Sequence, residues 1–233
     1  MKMYVLLSLF LLTASDISAQ YSVKIGSFVS PKYGINVTFK PTYYYYDSLR
    51  TGNYLSESLE TESTFDVDFG AAFKFTFENP NQSLIVDCGY STSSTVIKFP
   101  HDRSPNGTYV SRVHYISLAP MYKKDFMLIG CNVGFPLSAT TRNLSGSVDI
   151  AARSTEEIST TVEFRAGIIF PMSTTPLSEI DLVILGNFMI NGIYGDLNNL
   201  DHGYKLLDYD FVDNPKVWTL SIGIRYLFTC LEM

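Results

Sequence analysis

The chain has 233 residues, a formal net charge of −6, 17% charged side chains and 14% aromatics. Its length suits one domain, and its acidic balance gives no reason to expect a nucleic-acid partner, which would want a basic stripe. No apolar run approaches the length of a membrane-spanning helix, and three cysteines are too few, and odd in number, for a disulfide scaffold.

The first nineteen residues read as a secretory signal peptide: Lys2, an apolar core from Val5 to Leu12, and Ser18-Ala19 before the cut. No cysteine follows the cut to carry a lipid anchor. Residues 20–32 alternate weakly and meet Pro31, so they are expected to form a periplasmic lead-in. From Tyr33 the alternation becomes regular. Tyr33, Ile35, Val37, Phe39, Pro41, Tyr43 and Tyr45 share one face of a first strand that Pro41 weakens, with Gly34, Asn36, Thr38, Lys40, Thr42 and Tyr44 on the other. A long polar connection, 46–63, follows.

The second strand is the most regular. Phe65, Val67, Phe69, Ala71, Phe73, Phe75 and Phe77 alternate with Asp66, Asp68, Gly70, Ala72, Lys74 and Thr76, which reaches the ~9–11 residues of a membrane-spanning strand. Asn79-Pro80-Asn81 is a tight turn. The third strand opposes Leu84, Val86, Cys88 and Tyr90 to Ile85, Asp87, Gly89 and Ser91. The fourth, 109–122, is the least regular: Arg112 and His114 share a face that Ile116 and Leu118 continue, which suggests a bulge. After the turn at Lys123-Lys124-Asp125, the fifth strand carries Met127, Ile129, Cys131, Val133 and Phe135 on one face. With one strand between them, Cys88 and Cys131 would stand ~10 Å apart, too far for a bridge.

The sixth strand places Ile158, Val162, Phe164, Ile168 and Phe170 against Glu163 and Arg165, and the seventh places Ile180, Leu182, Ile184 and Phe188 against Asp181 and Asn187. A fourth long connection, 194–215, holds Asp196, Asp201, Asp208, Asp210 and Asp213 against Lys205. In the last strand, Trp218, Leu220, Ile222, Ile224, Tyr226 and Phe228 alternate with Thr219, Ser221, Gly223 and Arg225. Its apolar face has aromatics at both ends and aliphatics between, as a bilayer with two interfaces requires.

About eight strands result, joined by connections that alternate long and short. An up-and-down transmembrane barrel sorts its loops by end in this way, whereas a soluble sandwich has no reason to. The expected fold is all-β: a closed antiparallel transmembrane barrel over 33–228, with a tail at 229–233. A count of ten remains open if residues 21–32 pair with part of a long loop. Alternation alone does not say which face is inside, and a lipocalin-type soluble barrel is the inverse arrangement. Ser221, Gly223, Tyr226 and Phe228 also resemble the C-terminal assembly signal of outer-membrane barrels, although five residues follow the last aromatic. The chain as a whole resembles the small Gram-negative outer-membrane β-barrel family, the porin-like barrel domain. That resemblance implies outer-membrane location, contact with lipid and lipopolysaccharide, and passage through periplasmic chaperones and the barrel-assembly machinery.

With apolar faces turned to lipid, the lumen collects Lys40, Asp66, Asp68, Lys74, Asp87, Arg112, Glu163, Arg165, Asp181 and Arg225. Eight strands enclose an interior that side chains fill, and buried charges persist only when paired. A closed ion-pair network is therefore expected, with function in the four outer loops: ligand binding, adhesion or envelope integrity. A narrow channel is the alternative. His101-Asp102 and Asp201-His202 in the outer loops are the only candidates for a barrel enzyme. Side chains adjacent in sequence do not normally pair as base and orienter, so no catalytic residue is assigned. His114 reads as a lumen hydrogen-bonding residue. No cysteine or histidine cluster has zinc spacing, and no cofactor or metal is expected.

Overall fold

The computed structural model describes residues 20–36, 42–47, 53–58, 60–99, 107–143, 149–153, 158–192, 210–211 and 216–232. Every regular element among them is a strand. Eight long strands form the wall: β1 (Gln20–Asn36), β5 (Thr64–Phe77), β6 (Gln82–Phe99), β7 (Gly107–Lys124), β8 (Met127–Asn143), β10 (Thr161–Thr174), β11 (Ser178–Met189) and β13 (Val217–Glu232). Each pairs antiparallel with the next long strand in sequence, and β13 returns to pair with β1. The sheet is a closed, eight-stranded up-and-down barrel with no free edge in its wall.

Five short strands stand at the long-loop end. β4 (Glu60–Glu62) extends the wall along β6, and β9 (Asp149–Arg153) folds back on β8. β2 (Thr42–Asp47), β3 (Asn53–Ser58) and β12 (Asp210–Phe211) form a separate three-stranded sheet.

The structure corrects two of the expected boundaries. Residues 20–32 are not a lead-in: they are most of β1, registered on both sides from Val23↔Leu231 to Lys32↔Ser221 and from Val23↔Phe75 to Lys32↔Asp66. Pro31 is accommodated on the outward, solvent- or lipid-facing side. The 229–233 tail likewise continues β13 through Glu232, which pairs with Ser22. The first wall strand therefore runs from Gln20 and ends at Asn36 instead of starting at Tyr33, Thr42–Asp47 forms the separate strand β2, and the wall count stays at eight.

The alternation resolves into faces. Ile25, Val29, Tyr33, Phe65, Phe69, Ile129, Phe164, Phe170 and the even residues of β13 from Trp218 to Phe228 are exposed on the outside. Trp218 to Phe228 spans ten residue-to-residue steps of β13. At ~3.4 Å per residue and a tilt near 40°, that is about 25 Å of height, the thickness of a barrel's apolar band. Phe188 stacks edge-on against Trp218 at 5.3 Å, and Tyr226 against Phe228 at 4.5 Å, one pair towards each end of the band. β6 and β7 run for 18 residues each, so their hairpin rises well above that band.

Some wall contacts admit no side chain at all. A Cβ on Gly26 would stand 1.7 Å from the carbonyl oxygen of Tyr226, and one on Gly70 or Gly89 would stand 2.3 or 2.2 Å from a backbone oxygen on the opposite strand. These are places where the coiled wall brings backbones together. Gly26→Ala is expected to lower stability by about 1–3 kcal/mol, the usual cost of overpacking, read as a lower urea midpoint in detergent. Gly186→Ala meets the Phe188 ring at 3.3 Å and the Ala166 carbonyl oxygen at an ordinary 3.7 Å, and should cost less.

Candidate functional site

The inward residues of each strand fill the lumen in three levels. Towards the long-loop end, Lys32 and Arg165 both reach Asp68: Lys32 Nζ lies 2.7 Å from Oδ1, and Arg165 Nη2 donates to Oδ2 at 2.9 Å. Lys32 also donates to Ser91 Oγ at 3.1 Å. Arg165 Nη2 lies 3.4 Å from Glu163, and Glu163 accepts from Asn132 Nδ2 at 3.0 Å. Lys32, Asp68 and Arg165 are each only 2–3% exposed.

At mid-height Arg225 and Asp87 meet across the lumen in a two-point contact, Nε to Oδ1 at 3.1 Å and Nη2 to Oδ2 at 2.6 Å. The fork geometry of guanidinium and carboxylate makes this the most directional ion pair among the described residues. Near the short-turn end Glu179 lies between two lysines, accepting from Lys24 at 2.8 Å and also from Lys74. Asp181 is buried near them, opposite Arg225 in the β11–β13 ladder. Ile85, Ala119, Met121, Leu128, Ile169, Val183 and Leu185 form a buried apolar cluster that closes the remaining bore.

Of the lumen residues expected from sequence, Asp66, Asp68, Lys74, Asp87, Glu163, Arg165, Asp181 and Arg225 are buried. Lys40 lies outside the described residues. Arg112 is a correction: it stands on the outer face with about half its side chain exposed, Nε donating to Ser94 Oγ at 3.0 Å and lying 3.9 Å from Asp66. Its strand rises past the apolar band, and above the band an outward charge meets water instead of lipid, so polarity no longer marks the inside. His114 is corrected for the same reason. It shares the outward face of β7 and bonds through Nδ1 to the hydroxyl of Tyr90, whose ring packs on Phe69 at 5.1 Å. The register of β7 against β8 slips beside it, between His114 and Tyr115, where the sequence suggests a bulge.

Periodicity misses three lumen cations and acids: Lys24, Lys32 and Glu179. Lys32 was legible, since Phe28, Ser30, Lys32 and Gly34 keep strict phase opposite Ile25, Val29 and Tyr33; Pro31 hid it. Lys24 was legible in the same strand, but a register shift beside Val23 blurs its phase. Glu179 follows the turn at Pro176 and precedes Asp181 by two, which is the only signal it offers.

His101 and His202, the candidate loop histidines, lie outside the described residues. No group of three or more potential metal ligands exists among the described residues. Cys88, Cys131 and Cys230 are free thiols; Cys88 is on β6 and Cys131 on β8, with β7 between them.

A search of protein families finds no matching model, and no curated protein matches the sequence. Solved structures with a similar fold include Ail, the attachment invasion locus protein of Yersinia pestis, in complex with the heparin analogue sucrose octasulfate. The TM-score is 0.37 with 15% identity, covering 89% of this chain and 99% of that one. Neisserial surface protein A matches with a TM-score of 0.37 and 10% identity over 89% and 98% of the two chains. The outer membrane protease OmpT of Escherichia coli matches with a TM-score of 0.33 and 13% identity over 90% and 96%. Likeness at this level says nothing of activity, and the barrel assignment rests on the strand register described above.

Proposed function

We propose that the protein is an outer-membrane barrel with a sealed lumen, acting by binding or adhesion through the parts that stand outside the bilayer. The supporting observation is the filled bore. The lumen cavity bounded by Phe28, Asp87, Arg165, Val183 and Arg225 is about 10 Å³, room for roughly one water molecule. Among the described residues, paired charges and an apolar cluster line the bore around it, so solute passage would require breaking buried ion pairs. What is left free to act is the outer end: the tall β6–β7 hairpin and the loop strands.

In this reading the apolar belt meets lipid and lipopolysaccharide. The β13 residues Ser221, Gly223, Tyr226 and Phe228 present the assembly machinery with its signal, and residues 1–19 direct export. The chemistry of the outer ligand follows from charge. The first and fourth outer connections carry nine carboxylates against Lys40, Arg50, Lys205 and Lys216, so a polyanion such as the sugar sulfate bound to Ail would be repelled here. A neutral or cationic ligand fits.

The test is electrical. In planar bilayers the purified protein is expected to insert without discrete conductance steps, and neutral variants at Arg165 or Arg225, each of which loses a buried ion pair and with it some stability, should not generate them. Regular steps in the wild type, resized by either variant, would establish the channel instead.

A further inference from the structure

The three-stranded sheet at the outer end joins two loops distant in sequence. β1 and β13 are neighbours in the wall, so the connection after β1 and the connection before β13 emerge side by side. Their strands pair: Asp210 opposes Tyr44 and Phe211 opposes Tyr43. β2 then pairs with β3 along its whole length, from Thr42↔Ser58 to Asp47↔Asn53. The order β12-β2-β3 puts β2 in the middle. β3 has β2 on one side and, among the described residues, no strand on the other. β4 follows almost at once but pairs with β6 instead.

A six-residue edge of this kind offers a row of unmatched backbone donors and acceptors, which proteins usually guard with lysine, proline or a covering segment. β3 reads N-Y-L-S-E-S, with neither lysine nor proline. It belongs to the connection at the long-loop end of the barrel, and the two loops that build the sheet are strongly acidic.

We propose that the edge of β3 away from β2, which no described strand covers, is a strand-addition site for an extended, cationic peptide segment. Backbone hydrogen bonds to the edge supply the fit, and the acidic loops select a basic partner and speed its approach. This deepens the reading of the outer end as the binding end and depends on it.

In an antiparallel strand, successive residues turn their backbone groups alternately to one neighbour and to the other. Of Tyr54 and Leu55, one therefore bonds towards β2 and the other towards the opposite edge. Proline at the edge-facing one removes a donor and leaves the ladder to β2 intact.

The experiment uses the full barrel in detergent and a fluorescent ten-residue peptide of alternating lysine and valine, read by anisotropy at physiological salt. A second peptide carries the same side chains with backbone N-methyl groups at alternate positions, and a third replaces lysine by glutamate. The lysine peptide is expected to bind. Methylation and glutamate replacement should each weaken it about tenfold or more. One of Tyr54→Pro and Leu55→Pro should abolish binding while heat-modifiable gel migration stays unchanged. Equal binding of the methylated peptide, binding that survives both prolines, or no binding of the lysine peptide would each overturn strand addition. Failure here is distinct from failure of the sealed-lumen reading: conductance steps would end that reading and leave peptide addition standing, and a silent barrel that ignores the peptide does the reverse.

Discussion

Asp87→Ala is expected to destabilise the barrel by about 3–5 kcal/mol, the cost of stranding one partner of a buried ion pair. Arg225 is 2% exposed, so water cannot rescue the orphaned guanidinium. Asp181 opposite it in the ladder would recover part of the loss by turning towards the vacated side. Arg225→Met should cost a similar amount, because it strands Asp87. The double variant Asp87→Leu/Arg225→Met removes both charges together, and it should be much less damaging than the sum of the singles. Urea unfolding of the four proteins in lipid vesicles gives the coupling energy directly. Additive losses would mean that the two groups do not depend on each other, contrary to the 2.6 and 3.1 Å contacts between them.

Ile222→Arg, on the other face of the same strand, should cost about 2–4 kcal/mol, the penalty for a cation at the bilayer midplane of a barrel. Ile222 is 54% exposed and lies midway between Trp218 and Tyr226, so a long side chain there cannot reach either interface easily. The same substitution at Leu177, in a turn at the rim and more exposed still, should cost well under 1 kcal/mol because its charge sits in headgroups or water. In a water-soluble protein both positions would tolerate arginine alike. The contrast between the two, measured by urea unfolding in vesicles, separates lipid from water as the medium outside the wall.

The wall was largely legible in the sequence, because period-two alternation is a property of each strand by itself. β5 states its outer face in its phenylalanines, and β13 does so with aromatics at both ends of an aliphatic run. What alternation does not carry is distance across the bore. Arg225 and Asp87 are 138 residues apart, and nothing local selects that pair among the inward charges. The apolar plug escapes for a related reason. Ile85, Leu128, Ile169, Val183 and Leu185 each look like an exception on a polar face, and only the closed cylinder gathers them into one cluster. Arg112 and His114 mislead because the rule that polar means inside holds only within the bilayer. The strand ends mislead too: Pro31 and the final aromatic Phe228 read as boundaries, yet a proline is tolerated in β1 and β13 pairs on to Glu232.

The most direct measurement is a spin-label scan of positions 218 to 225, one label at a time, in vesicles, with Cys88, Cys131 and Cys230 first replaced by serine. Labels at 218, 220, 222 and 224 are expected to meet dissolved oxygen in the acyl chains, deepest near 222. Labels at 219, 221, 223 and 225 should be shielded from oxygen and from a water-soluble nickel complex alike, because they face a packed interior. Nickel access at the even positions, or oxygen access in the opposite phase, would mean that the apolar face does not meet lipid and that the ion pairs do not line a sealed lumen.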